Sequence, residues 1–243
     1  MLPSLNADAD LWYADLHPYY SRQNNRVVQY HIRALSPPGG LVVDPFVGSG
    51  VSALEAIAAG RRIIASDISP MAVFITNALV EPLDISAYRS LAWAIYKEAP
   101  FRHSNSSPVF RQVWGDERIG QIYGIKEMIE SSVTSERKFL YLALSKSMDT
   151  CNNCLAPPSF EITGSASSIF NQSQIRIYPN PDTNIHEHFI RAANIIASIK
   201  QQTNRYQMPA QVLLGDVADL VVPNVNAIIT DPPWGNIQYG LAE

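Results

Sequence analysis

One short stretch of this sequence has the residue types of a ligand-binding turn: residues 44–50, Asp-Pro-Phe-Val-Gly-Ser-Gly. A glycine-rich turn between a strand and a helix lets the backbone approach a ligand closely. Gly48 and Gly50 form a Gly-x-Gly pattern, which is shorter than the Gly-x-Gly-x-x-Gly pattern of dinucleotide-binding proteins. The carboxylate of Asp44 would also repel a pyrophosphate. The turn therefore suits a ligand that carries a cationic ammonium or sulfonium group.

A second acidic residue, Asp67, comes at the end of the next predicted strand, 23 residues after Asp44. At that place in an α/β sheet a carboxylate can accept hydrogen bonds from both hydroxyl groups of a ribose. Together, the two acids and the glycine turn favour a binding site over the alternative, which is a structural turn followed by a helix N-cap.

Residues 230–235, Thr-Asp-Pro-Pro-Trp-Gly, form a second stretch that could do chemistry. The exocyclic amine of a nucleic-acid base is a poor nucleophile because its lone pair is delocalised into the ring. The Asp231 carboxylate and the Pro232 carbonyl could accept hydrogen bonds from its two N–H groups and so favour a pyramidal nitrogen. The two prolines would stiffen the loop. Trp234 could stack on a base turned out of its helix. A turn with a buried tryptophan is the alternative.

The elements predicted around these stretches place both at the carboxyl edge of a parallel sheet. Ser69 and Pro70 have the residue types of an N-cap and a first helical position. The order strand, glycine turn, helix, strand and helix is a βαβ unit, which implies a right-handed crossover. Apolar runs predict strands over 41–44, 62–66, 211–214 and 226–230, and apolar periodicity predicts helices over 24–35, 51–59 and 71–79.

The regular alternation of strand and helix stops after residue 81. Helical segments are predicted at about 85–98, 136–148 and 186–202, the last opened by Asn184 and Glu187 in capping-box spacing. The sequence therefore predicts three parts: residues 1–81 and 208–243 form one α/β domain, and 82–207 form a mainly helical insertion that could recognise a target.

Residues 44–50 closely resemble the S-adenosylmethionine-binding motif of DNA amino-methyltransferases, the enzymes that make N6-methyladenine or N4-methylcytosine. Residues 17–23 and 36–40 resemble the segment that packs beside the methionine moiety in that family. Residues 230–235 resemble the catalytic Asp-Pro-Pro-Tyr motif, with Trp234 at the tyrosine position, a departure that retains the stacking surface. The resemblance implies a Rossmann-like class I methyltransferase sheet with S-adenosylmethionine as its cofactor.

The resemblance also implies roles for individual residues. Arg22 would meet the cofactor carboxylate or lie on the surface, and Asp216, after the third strand, would meet the adenine amine or merely end a strand. The catalytic residues would be Asp231, Pro232, Pro233 and Trp234. The cofactor-binding residues would be Asp44, Pro45, Phe46, Gly48, Ser49, Gly50, Asp67, Ile68, Asp216 and Val217.

The function that these motifs imply is methyl transfer from S-adenosylmethionine to adenine N6 or cytosine N4 in DNA, as in restriction-modification systems. One alternative is an RNA enzyme, since transfer-RNA guanine-N2 methyltransferases resemble this pattern too, including Gly235 after the aromatic residue. Another is a catalytically silent, cofactor-binding subunit of a modification or defence complex. A nucleotide-dependent oxidoreductase is disfavoured because the longer glycine pattern is absent.

The composition of the chain bears on these alternative functions without deciding among them. The formal net charge of −4 argues weakly against a nucleic-acid partner, unless basic residues cluster on one face or belong to a missing basic domain. Two cysteines and no apolar run of about 18 residues predict a cytoplasmic protein without a membrane span. Cys151 and Cys154 form a lone Cys-x-x-Cys, with His186 and His188 outside familiar zinc-finger spacing, so no metal is expected.

The four predicted strands account for only part of the sheet that such methyltransferases have. We therefore expect either a missing C-terminal segment or a second chain to complete it, because an open apolar edge is avoided in isolated proteins. The 243 residues alone are then expected to have weak activity or none.

Overall fold

In the part of the chain that the structure describes, four parallel strands form one sheet: β1 (Leu41–Asp44), β2 (Arg62–Asp67), β3 (Ala210–Leu214) and β4 (Ala227–Ile228). The computed structural model describes residues 12–19, 22–103, 105–151, 184–222 and 224–232. Within them the strand order is β3-β2-β1-β4, and every neighbouring pair is parallel. The predicted α/β, Rossmann-like class is confirmed, and each strand lies within two residues of its predicted bounds.

Seven α-helices accompany the sheet in the described part of the chain. Asn24 caps the first, since its side chain accepts from the backbone N–H groups of Arg26 and Val27. Ser69 caps the third with Pro70 at the first position, as predicted. None of these helices is both long and apolar enough to cross a membrane. The helices are α1 (Asn25–Leu35), α2 (Val51–Ala58), α3 (Pro70–Val80), α4 (Ile85–Glu98), α5 (Pro108–Ser131), α6 (Arg137–Cys151) and α7 (Ile185–Thr203).

The described residues divide into two compact units. The first unit contains residues up to 83 and from 198 to 232, with the sheet and helices α1 to α3, and the second contains residues 84–197. In the first unit β1 is buried along its whole length, α2 and α3 pack against the strands, and α1 packs on α2. The division of the sequence into 1–81, 82–207 and 208–243 stays a prediction.

A buried lysine holds the end of α3 in the first unit. The Lys200 ammonium group donates to the backbone carbonyls of Ala78 and Leu79 at 3.0 Å and of Glu81 at 2.5 Å. Carbonyls at a helix C-terminus have no partner within the helix and carry partial negative charge, so a cation stabilises them. This contact brings the chain back beside α3, just before it enters β3 next to β2.

The second unit contains a helix that the sequence does not predict. No element is predicted between about residues 98 and 136, but α5 covers 24 residues there. Its glycines lower the helical propensity, and at Gly115 the backbone leaves the helical region, with φ of 77°, so that the helix is kinked. Packing overrides this local preference, because Ile119, Ile122 and Ile125 are buried.

We expect Gly124→Ala in α5 to destabilise the second unit, although alanine normally stabilises a helix interior by about 1 kcal/mol over glycine. A Cβ at Gly124 would lie 1.6 Å from the carbonyl oxygen of Pro100, which is backbone and cannot rotate away. Overpacking of this kind costs about 1–3 kcal/mol. Urea denaturation should therefore give a lower free energy of unfolding. The control is Glu117→Ala, an exposed position on the same helix; equal stability of the two variants would contradict the expectation.

Candidate functional site

The glycine turn joins β1 to α2 through two left-handed glycines. Gly48 has φ of 50°, and Gly50, the N-cap of α2, has φ of 82°. A Cβ at Gly50 would lie 2.9 Å from Thr76 Oγ1 and 2.8 Å from Leu79 Cδ1, both on α3. A Cβ at Gly48 would lie 3.3 Å from the Tyr19 ring. Both backbone conformation and space therefore require glycine in this turn.

Asp44 ends β1 and is only 1% exposed. Its Oδ1 accepts hydrogen bonds from the backbone N–H of Phe46 at 3.0 Å and from Thr230 Oγ1 at 2.7 Å, and its Oδ2 accepts from Ser52 Oγ. Burial raises the pKa of this carboxyl, and the three hydrogen bonds oppose the rise. Asp44 therefore joins the glycine turn, the first turn of α2 and the segment after β4.

We expect Asp44→Asn to raise the free energy of unfolding at neutral pH. An amide can accept from Phe46 N and Thr230 and donate to Ser52, so it keeps these bonds without a buried charge. Because the folded-state pKa of Asp44 is raised, the stability that the protonated carboxyl contributes is present at low pH and is lost as the pH rises through that pKa. The advantage of the variant should thus be absent below the ordinary aspartate pKa of about 4 and grow above it.

Urea denaturation across a pH series measures this difference. Asp219→Asn, at an exposed aspartate of the first unit, is the matched control. An Asp44→Asn variant less stable than the natural protein throughout the series would contradict the expectation, and would show that the turn needs the ionised carboxylate.

Asp67 ends β2 and holds the turn from the other side. Its Oδ2 accepts from the Gly48 backbone N–H at 2.9 Å, and its Oδ1 accepts from the Ser69 N–H at 2.9 Å. The side chain remains half-buried, and the next residue, Ile68, is 73% exposed. Because a carboxylate oxygen can accept two hydrogen bonds, Asp67 can hold the turn and also bind a diol.

The second motif begins where β4 ends, beside β1. The Ile229 N–H donates to the Val43 carbonyl at 3.0 Å, which extends the pairing of β4 with β1. The Thr230–Asp44 hydrogen bond then joins the two predicted motifs directly. Asp231 and Pro232 follow and are exposed. Pro233 and Trp234 lie outside the described residues.

Asp216 follows β3 at the same edge of the sheet. Its carboxylate accepts from the Ala218 N–H at 2.9 Å and caps a short 3₁₀ helix, Val217–Asp219. The Gly215 N–H donates to the Asp67 carbonyl at 3.0 Å, which sets Asp216 next to the end of β2. Asp216 is exposed, and Val217 is 40% exposed.

The structure brings together most of the predicted site residues at the carboxyl ends of the four strands, but it gives Arg22 another contact. The Arg22 guanidinium donates to the His17 carbonyl. Sequence reasoning assigned no role to Ser52, Thr76 or Thr230, although the position of Thr230 directly before Asp-Pro-Pro was a usable signal. Cys151 is buried at the end of α6, and Cys154 lies outside the described residues, so the expectation of no metal stays a prediction.

Comparisons with known proteins bear on the N-terminal part of the chain. A family model described as DNA methylase, of the N6 and N4 type, matches residues 9–78. The type II methyltransferase M.MjaII of Methanocaldococcus jannaschii is 28% identical over 76 residues, which is 31% of this chain and 14% of that protein. No solved structure matches the chain significantly. The matched residues include the glycine turn and Asp67 but end before Asp231. Over this segment, the chain is similar to DNA methylases of the N6 and N4 type.

Proposed function

We propose that the chain carries the cofactor-binding and catalytic segments of an S-adenosylmethionine-dependent DNA methyltransferase that acts on an exocyclic amine, adenine N6 or cytosine N4. The observation that carries the proposal is the 2.7 Å hydrogen bond from Thr230 Oγ1 to Asp44 Oδ1. It joins the residue before Asp231 to the residue that opens the glycine turn. A methyl donor at the turn and an amine at Asp231 would then be neighbours at the carboxyl edge of the sheet.

The residues present at the turn fit S-adenosylmethionine. Glycine at position 50 lets the turn lie directly against Thr76 and Leu79 of α3, which holds the backbone from Gly48 to Gly50 at the carboxyl edge of the sheet. The Asp67 carboxylate suits the ribose hydroxyls, and the exposed side chains of Ile68 and Val217 offer apolar contact for the adenine ring. We further assign the methionine part to Pro45, Phe46, Ser49 and the glycines, with Asp44 as the positioning carboxylate, and the adenine amine to Asp216.

The bound cofactor would supply an electrophilic methyl group on a sulfonium sulfur. The contribution of the chain is to position the amine. The Asp231 carboxylate and the Pro232 carbonyl accept hydrogen bonds from its two N–H groups and direct its lone pair toward the methyl donor. Pro233 stiffens this loop, and Trp234 stacks on the extruded base. Acceleration then comes mainly from holding the two reactants in line.

Two measurements on the full-length protein test the proposal. Isothermal titration calorimetry should detect S-adenosylmethionine binding, and a tritiated-methyl assay should show incorporation into DNA but not into transfer RNA. Incorporation into transfer RNA alone would replace the DNA substrate with an RNA one. Cofactor binding without incorporation into either polymer would replace the enzyme with a silent cofactor-binding subunit.

A further inference from the structure

One face of α4 in the second unit combines cations, hydroxyls and an exposed indole. Its residues recur at helical spacing, so their side chains lie in one stripe about 100° wide along the helix. All of them are exposed. The stripe, called here the α4 face, consists of Ser86, Arg89, Ser90, Trp93 and Lys97.

The burial of the opposite side sets the orientation of this helix. Tyr88, Ala92 and Ile95 are buried, and the Tyr88 ring packs edge-on against Phe139 with 6.3 Å between ring centroids. Asp84 caps the helix by accepting from two backbone N–H groups at its start. The α4 face is therefore directed away from the core of its unit by packing, and its exposure does not depend on a flexible end.

Trp93 is the feature of the α4 face that needs an explanation, since 54% of it is exposed. Its ring centroid lies 5.3 Å from that of Tyr96, and the Lys97 ammonium lies 4.8 Å from the Trp93 centroid and 5.1 Å from the Tyr96 centroid. These cation–π contacts keep the indole beside a positive charge at the surface. An aromatic ring flanked by cations is the combination that binds nucleic acid through its bases, sugars and phosphates.

The α4 face is cationic in a chain whose formal net charge is −4. It contains Arg89 and Lys97 and no carboxylate. Of the nearby acids, Glu187 accepts a hydrogen bond from the Tyr96 hydroxyl at 2.7 Å, and Glu98 lies about 100° around the helix from Lys97. The overall acidity of the chain therefore does not extend to this surface, which is complementary in charge to a polyanion.

We propose that the α4 face binds the backbone of the DNA substrate, with phosphates at Arg89 and Lys97 and a deoxyribose packed against Trp93 between them. The two cations are eight residues apart, which is about 12 Å along the helix. That length corresponds to about three to four nucleotide steps of one strand, at about 3.4 Å each. The inference rests on the proposed function for its choice of DNA, and it concerns only the second unit.

Fluorescence anisotropy with a labelled duplex of mixed sequence, over a range of salt concentrations, tests the proposal in the full-length protein. Each lost phosphate contact reduces the slope of log K against log salt by about 0.9, so Arg89→Ala/Lys97→Ala should reduce it by about 1.8 and weaken binding at least about tenfold. Trp93→Ala should weaken binding with an unchanged slope, and Trp93→Phe should restore most of the affinity.

The matched control is Arg111→Ala/Lys126→Ala, which removes two exposed cations from α5 of the same unit. These cations pair with Asp116 and Glu130, and their loss should leave the slope within experimental error. An α4 double variant with the natural slope, or equal losses in both double variants, would overturn the proposal. Loss of a concentration-dependent dimer in Trp93→Ala, with DNA binding intact, would assign the α4 face to a second copy of the chain instead.

Cofactor binding separates this proposal from the proposed function. All α4 variants should bind S-adenosylmethionine with the affinity of the natural protein and should reach its kcat at saturating DNA, with only KM for DNA raised. A natural protein that binds neither cofactor nor duplex would overturn both proposals. A natural protein that methylates DNA, with an unchanged KM in the α4 variants, would overturn this one alone.

Discussion

Asp231→Ala should abolish most methyl transfer to DNA while leaving cofactor binding intact. Under the proposed function, the Asp231 carboxylate accepts a hydrogen bond from the amine and keeps the nitrogen lone pair directed at the methyl donor. Removing one such polar group from a positioned reacting centre lowers kcat by about 100- to 1,000-fold in comparable cases. Because Asp231 is exposed, the free energy of unfolding should change by no more than about 0.5 kcal/mol.

Three measurements make the Asp231 result interpretable. Tritiated-methyl incorporation gives kcat, calorimetry gives the affinity for S-adenosylmethionine, and urea denaturation gives stability. Asp231→Asn keeps one carbonyl acceptor, so its kcat should lie between those of the alanine variant and the natural protein. Asp219→Ala, at another exposed aspartate of the first unit, should be fully active. An Asp231→Ala variant with normal kcat would remove the Asp-Pro-Pro-Trp motif from the mechanism.

Gly50→Ala should both destabilise the first unit and abolish S-adenosylmethionine binding. The left-handed backbone at Gly50 costs an L-residue about 1–2 kcal/mol, and the new Cβ would collide with buried Thr76 and Leu79 of α3. Together these effects should lower the free energy of unfolding by about 2–5 kcal/mol. Relief of the collision would shift the turn from α3, and with it the backbone that we propose contacts the methionine part.

Gly60→Ala provides a matched control at the other end of α2. Gly60 also has a left-handed backbone, with φ of 75°, but a Cβ there would meet no atom within 4 Å. The free energy of unfolding of Gly60→Ala should therefore fall only by the conformational cost of about 1–2 kcal/mol. This variant should bind the cofactor normally. Equal losses of stability in the two variants, with cofactor affinity retained in Gly50→Ala, would show that neither stability nor cofactor binding depends on the close packing of Gly50 against α3.

The distribution of charge in the structure changes how the acidic composition bears on DNA binding. A net charge of −4 counts against nucleic-acid binding only if charge is spread evenly over the surface. Arg89 and Lys97 share one helix face without a carboxylate, and this clustering comes from the burial of the opposite side of α4. Charge counts alone could not reveal it.

The local elements of the first unit were predictable from the sequence because their signals are local. The β-branched run of β1, the cap at Ser69 and the left-handed glycines all act within a few residues. The same logic failed for α5, whose glycines argue against a helix. There, burial of isoleucines and the close approach of Pro100 to Gly124 decide the conformation, and neither is visible without the fold.

By itself, the sequence determined the residue types of the candidate site and their places at strand ends. Only the tertiary structure decided what those residues touch. The order β3-β2-β1-β4 sets the end of β4 beside the end of β1, and so lets Thr230 bond to Asp44 across 186 positions of the chain. Pairing between strands so distant depends on the packing of the whole unit, whereas turn and strand preferences depend only on neighbouring residues.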